Sequence, residues 1–245
     1  MGRTAIQLYT LRGIDEPLPA LLESVAETTF DGVEFAHRVA DANREAVVEA
    51  LGDTGLAVAA AHVGLETLET DYEGTTALYE ELGCTDLVVP WLDPSHFESE
   101  AAIAEVAERL NAVAQRLAED GFSLHYHNHD QEFVDRGEHA AMDELLARTD
   151  DSIGFELDLG WANAAGADPV ALLDRYGDRI SHVHFADADA ESMACVELGE
   201  GDLDLDACLE AARDAGVEWY IYEHDEPTDP RESLAHGAKT LDEAR

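Results

Sequence analysis

The chain has 245 residues, 46% of them hydrophobic, which suits one large domain with a sizeable core. Against 14 Lys+Arg stand 55 Asp+Glu, a formal charge of -41, so the clustered bases that nucleic acid needs are missing, and no 18-residue apolar run is present to span a membrane. The acids are spread through every segment and Lys239 is the single lysine, a pattern expected of a halophilic protein in a salt-rich cytoplasm, where counter-ions shorten the reach of self-repulsion.

Met1 to Ile6 leads straight into a strand over Thr4 to Tyr9, with no signal-peptide pattern. Pro17 to Thr28 has the helical period, with Leu18, Leu21, Leu22 and Val25 apolar. Asp31-Gly32 turns into a strand over 33–35. A helix follows over Asn43 to Thr54, closed by Gly55. Leu56 to His62 is the third strand, Thr75 to Leu82 a helix closed by Gly83, and Asp86 to Pro90 the fourth strand. Ser99 to Asp120 is a long helix with Ile103, Val106, Leu110, Val113 and Leu117 on one face. Phe122 to Asn128 is the fifth strand, His139 to Arg148 a short helix and Ile153 to Asp158 the sixth strand. Pro169 opens a helix to about Tyr176. Ile180 to Phe185 is the seventh strand, Asp204 to Ala215 a helix, Trp219 to Glu223 the eighth strand and Pro230 to about Leu241 the last helix.

Repeated strand-then-helix units with no linker predict a parallel sheet, and eight of them in one domain fit the closed (β/α)8 TIM barrel of class α/β over residues 1–245. The open doubly wound sheet is the alternative, but no Gly-x-Gly-x-x-Gly follows any strand. In barrels of this kind the chemistry sits at the C-terminal ends of the strands. Those ends carry Glu34, His62, His127, His129, Asp158, His184 and Glu223. In the stretch His125-Tyr126-His127-Asn128-His129, alternation sends the three imidazoles to one side. Imidazoles and carboxylates together suit one divalent ion: Mn2+, Zn2+, Co2+ or Mg2+. Glu156, His125 and His182 share the parity of the strand-end groups and lie deeper, as interior hydrogen-bonding residues. Taken singly, each such residue has a structural reading: Asp168, Asp187, Asp225 and Asp229 are of the type that caps helices. Trp91 and Trp161 suit either packing or a platform for a sugar ring. Glu34, His62, Trp91 and Trp161 are the candidates for substrate contact. No Gly-x-Ser-x-Gly elbow and no P-loop are present, and Cys84, Cys195 and Cys208 fit neither a metal knuckle nor a nucleophile, only a reducing cytoplasm.

Several stretches together resemble the xylose-isomerase-like TIM barrels, the sugar phosphate isomerase/epimerase superfamily. They are Ile6-Gln7-Leu8-Tyr9-Thr10-Leu11-Arg12, Tyr126-His127-Asn128-His129-Asp130-Gln131-Glu132-Phe133, Leu157-Asp158-Leu159-Gly160-Trp161, His182-Val183-His184-Phe185-Ala186-Asp187 and Tyr222-Glu223-His224-Asp225. The resemblance implies a metal held by Asp158, His184 and Glu223 with a ligand from the fifth strand, either His127 by parity or Glu132 reaching back. It implies a sugar isomerase or epimerase working by proton transfer through a metal-stabilised enediolate, with Glu223, Glu132 and His129 (or His62) as acid–base candidates. A dehydratase of a keto-inositol or 3-keto-sugar, or a non-catalytic sugar-binding barrel, are the alternatives. Two positions depart from the family pattern: Ala186 replaces the Lys of His-x-Lys-Asp, and Trp161 stands where the trinuclear zinc endonucleases have a His. Arg12, Arg38 and Arg136 are the available phosphate contacts, but they form no cluster, so the expected partner is a non-phosphorylated sugar or cyclitol, with a homo-oligomer as an allowed assembly.

Overall fold

The computed structural model describes residues 2–244 apart from 134–138. Eight strands run in parallel and close on themselves: β1 (Arg3–Gln7), β2 (Gly32–Phe35), β3 (Ala57–His62), β4 (Asp86–Val89), β5 (Ser123–His127), β6 (Gly154–Asp158), β7 (Ile180–Phe185) and β10 (Trp219–Tyr222). A two-stranded antiparallel hairpin, β8 (Asp187–Asp189) with β9 (Ala194–Val196), stands between β7 and β10 in the chain. The sequence pattern did not foresee it: three-residue strands carry no measurable period.

Helices cover the outside: α1 (Leu18–Ala26), α2 (Arg44–Thr54), α3 (Leu65–Thr70), α4 (Tyr72–Glu81), α5 (Glu100–Glu119), α6 (Ala141–Arg148), α7 (Leu159–Ala164), α8 (Pro169–Tyr176), α9 (Leu205–Asp214) and α10 (Pro230–Glu243). Their ends follow local chemistry. Asn43 caps α2 by accepting from Ala46 N at 3.2 Å, Ser99 caps α5 from Ala102 N at 3.2 Å, and Gly55 adopts φ 72° at the end of α2. Asp168 and Asp229 cap α8 and α10, the structural role expected of them. The expected helix over Thr75–Leu82 begins earlier, at Tyr72, with α3 ahead of it. The first strand stops at Gln7, because the Gln7 side chain accepts from Tyr9 N at 3.1 Å and turns Leu8–Leu11 into a 3-10 turn.

Alternate strand residues divide the protein in two. Outward positions such as Val33, Phe35, Tyr126, Phe155, Leu157, Val183, Phe185 and Tyr222 are buried against the helices in the main core. Inward positions form a small apolar plug of Ala5, Ala59, Trp219 and Ile221, and above it a polar interior. Two register shifts shape that interior, one between Val33 and Glu34 and one between Phe155 and Glu156. Irregularities of this kind re-aim the side chain beside them; here both fall next to a buried carboxylate.

Candidate functional site

At the C-terminal ends of β5, β6, β7 and β10 the structure brings His127, Asp158, His184 and Glu223 together, each offering a ligand atom within 4.8 Å of the others. All four are buried, from 0% to 6% exposed. His184 is the hub. Its Nδ1 meets Glu223 Oε2 at 2.7 Å and lies 4.0 Å from Asp158 Oδ2, while Nε2 meets Glu34 Oε2 at 2.6 Å. Burial opposes a charge on this imidazole, but Glu156, Glu34 and Glu223 outweigh it and push its pKa well above the ordinary value. Glu223 is held down to about 2: burial would raise it, and the His184 charge and hydrogen bond overcome that.

Asp158 is fixed from three directions. Its Oδ1 accepts from Trp161 N at 2.6 Å, which caps α7. The Asn128 side chain imitates a neighbouring strand, donating to Asp158 O at 3.2 Å and accepting from Asp158 N at 2.9 Å. Asp158 Oδ2, buried and aimed at the cluster, has no hydrogen-bond partner. Burial, together with the nearby Glu223 charge, drives the Asp158 carboxyl well above the usual carboxylate range despite His184. A bare buried carboxylate oxygen facing two imidazoles and a second carboxylate is what a divalent ion of the Mn2+, Zn2+ or Co2+ type would complete, so the residues fit such an ion.

Directly behind lies a second convergence. His62 Nε2 at 2.9 Å, His127 Nδ1 at 3.1 Å and His184 Nε2 at 3.2 Å surround a single oxygen, Glu156 Oε1. The imidazoles hold the Glu156 carboxyl well below its ordinary value against the burial that raises it. Glu34, also bound by Gln7 Nε2 at 2.8 Å, goes the other way, up to about 7, through burial and the Glu156 charge. Glu34 was expected at the substrate; the structure places it behind His184, fully buried, where it orients that ring. Glu156, read as an interior group, occupies the centre of the histidines.

A cavity of about 660 Å³ reaches this cluster at His62, His127 and Glu223. Asp158 and His184 lie behind its wall. Trp91, 49% exposed, and Trp161 line it as well, with the Trp161 ring stacked on His129 at 5.8 Å and its Nε1 donating to Asp225 Oδ2 at 3.2 Å. His129 has an unpartnered buried Nδ1, and burial lowers its pKa to about 4, which leaves a neutral imidazole beside the cavity. Glu132 does not line the cavity: its carboxylate accepts from the Tyr126 hydroxyl and from His129 N at 2.9 Å, so it positions the loop that carries His129.

Sequence reasoning did not find Tyr9, His37, Met193 or Cys195, which also line the cavity. The last two stand on the β8–β9 hairpin, and this hairpin is pinned by Asp187, whose carboxylate accepts from Ala188, Gly199, Gly201 and Leu203 amides at 2.9 to 3.1 Å. Asp187 and the Gly199-Glu200-Gly201 stretch were the only signal of that wall. Arg38 donates its guanidinium to backbone carbonyls, and Arg136 lies outside the described residues. A second hollow of about 660 Å³, between α8 and α9, is lined by Asp168, Asp174, Asp178, Glu210 and Asp214 and carries no imidazole.

A family model, the Xylose isomerase-like TIM barrel, matches residues 22–244. The chain is 37% identical over 103 residues to the rhizopine catabolism protein MocC of Rhizobium meliloti, a stretch that is 42% of this chain and 30% of that protein. It is 28% identical over 178 residues to inosose dehydratase of Lacticaseibacillus casei, 62% of this chain and 59% of that protein. The matches thus span 30% and 59% of the length of these curated relatives. A sugar phosphate isomerase/epimerase from Parabacteroides distasonis has the same fold, with a TM-score of 0.83 at 21% identity over 98% of this chain and 94% of that one.

Proposed function

This chain belongs to the xylose isomerase-like TIM barrel family, and on that premise we propose that it is a divalent-metal-dependent enzyme that moves a proton at the carbon beside the carbonyl of a sugar or cyclitol, as an isomerase or epimerase. The observation that carries this reading is the convergence of His127, Asp158, His184 and Glu223 next to the cavity, with Asp158 Oδ2 unpartnered. A divalent ion bound there supplies a Lewis acid that stabilises negative charge developing on the substrate's carbonyl oxygen.

The chain's own residues do the rest. Glu223 reaches the cavity wall as a carboxylate hydrogen-bonded to His184, and stands where it can accept the proton. His129 is neutral, with a free Nδ1, and serves as the second proton carrier. Glu34 and Glu156 hold the outer edges of the imidazoles, fixing which nitrogen faces inward. Trp91 and Trp161 give the apolar face of a ring somewhere to lie and exclude water from the reacting carbon.

The decisive experiment pairs elemental analysis of the wild type and Asp158→Ala with a panel of ketoses, keto-cyclitols and their carboxylate-bearing counterparts in deuterated solvent. About one ion per chain, absent from the variant, with solvent deuterium entering one ligand, supports the proposal. Metal-free protein after reconstitution, with no deuterium exchange, would sink it. The likeness to inosose dehydratase favours a second reading, loss of water from a keto-inositol after the same proton abstraction; a product lighter by one water in the same panel would select it.

A further inference from the structure

Of the residues that line the cavity, Arg12 alone carries a guanidinium, and none is a lysine. Two arginines stand close together on this side of the barrel, and they are used differently. Arg38, in a left-handed conformation at φ 76°, donates to the carbonyls of Arg12, Ile14 (2.9 Å) and Glu16 (3.5 Å). Its donors go to the backbone, and one of them holds the Arg12 carbonyl itself. Arg12 is therefore placed by a built support. Its own side chain lies over the Tyr9 ring, 4.1 Å from the centroid, and makes one weak bond, from Nη1 to Tyr9 O at 3.3 Å.

Acids outnumber bases 55 to 14 in this chain, but among the described residues no carboxylate lies within 4 Å of Arg12. Asp225, an acid that feels the Arg12 charge, accepts from Trp161 Nε1. A guanidinium propped on an aromatic face, with most of its donors unspent and a cavity in front of it, is arranged to grip an anion edge-on with two parallel N–H bonds. The wall also carries Glu223, Asp225 and Glu226. Those charges work against a dianion such as a phosphate ester, whereas a single carboxylate matches a single guanidinium.

We propose that Arg12 is a specificity-determining residue that binds a carboxylate on the substrate, and that the sugar or cyclitol is accordingly one that bears a carboxylate as well as its carbonyl, cyclic or open, rather than a neutral or phosphorylated one. This rests on reading the cavity as the substrate site, and deepens the proposed function by naming the substrate class. No bond is made or broken by Arg12; it orients the molecule so that the carbonyl end faces His127 and Glu223.

Calorimetric binding of gluconate and of its neutral counterpart glucitol tests this, on Zn2+-reconstituted and on metal-free protein, for the wild type, Arg12→Gln and Arg12→Lys. Gluconate is expected to bind about tenfold or more tightly than glucitol, with the gap lost in Arg12→Gln and partly kept in Arg12→Lys. Glucitol affinity and metal content should be the same in all three proteins. No gap in the wild type overturns the proposal, as does a gap that survives Arg12→Gln, which would put the carboxylate elsewhere. Equal weakening of both ligands in Arg12→Gln also overturns it, showing that Arg12 only supports its loop. A gap that depends on Arg12 in both the metal-free and the reconstituted protein upholds it independently of the metal reading.

Discussion

Glu34 and His184, 150 positions apart in sequence, meet through Oε2 and Nε2 at 2.6 Å in the middle of the barrel. The contact leaves Nδ1 of the same ring facing Asp158 and Glu223. A histidine whose outer nitrogen is held by a carboxylate is oriented and made more basic as a ligand. Glu34→Gln should therefore weaken divalent-ion affinity by about 10–100-fold without changing the number of ions bound. Competition with a fluorescent chelator measures this, and an unchanged dissociation constant would remove Glu34 from that role.

Glu132 gives a pH-dependent stability. Burial raises its carboxyl from the ordinary 4.5 to about 7, opposed by its bonds from Tyr126 and His129. Between those values the native state keeps a proton that the unfolded chain has released, so stability falls as pH rises through the window. The full effect is about 3 kcal/mol, taking roughly 1.4 kcal/mol per pKa unit. Glu132→Gln retains an acceptor oxygen and loses the titration. Urea unfolding at pH 4.5 and pH 7 should show the wild type losing more than the variant; parallel curves would contradict the assignment.

Gly237 is a packing requirement. A Cβ at this position of α10 would collide with the ring of Tyr222 on β10. That ring cannot swing away, because its hydroxyl donates to Glu197 Oε2 at 2.6 Å and meets Ser233 Oγ at 2.7 Å. Gly237→Ala should cost about 1–3 kcal/mol from overpacking. A thermal melt indistinguishable from the wild type would show that α10 shifts freely.

We propose, from a formal charge of -41, that the fold requires salt. Raising ionic strength from 0.1 to 1 M cuts the screening length from about 10 Å to about 3 Å and quiets repulsion among surface carboxylates. The melting temperature should rise steeply with KCl, and dialysis into dilute buffer should unfold part of the population. A melting curve independent of salt would refute this.

Much of the architecture was readable from residues alone because it depends on local chemistry. The helical period of Ile103 to Leu117, the caps at Asn43 and Ser99 and the glycine at 55 each act within a few positions. That inward strand ends meet gave a wider set of candidates, and the family resemblance singled out Asp158, His184 and Glu223 with His127 or Glu132; the structure brings His127, Asp158, His184 and Glu223 within 4.8 Å. What escaped depends on distant neighbours. The register shifts beside Glu34 and Glu156 come from pairing with another strand, and Glu34 meets His184 rather than lining the cavity. The β8–β9 wall exists because Asp187 collects four amides from residues 188–203, a long-range arrangement with no period to detect. The motif makes Glu132 an acid–base candidate; the structure sets its carboxylate against the Tyr126 hydroxyl and the His129 amide, outside the cavity lining.

Each barrel strand sends one row of side chains to the helices and the other to the centre. Residues such as Tyr222 and Phe185 answer to the shell; Glu223 and His184 answer to the polar centre. The two rows alternate along the same short stretch of chain, under different constraints. Apart from two crossings, Asp158 capping α7 and Tyr126 holding Glu132, a change in one row leaves the other in place, so the polar centre can be rewritten without repacking the shell.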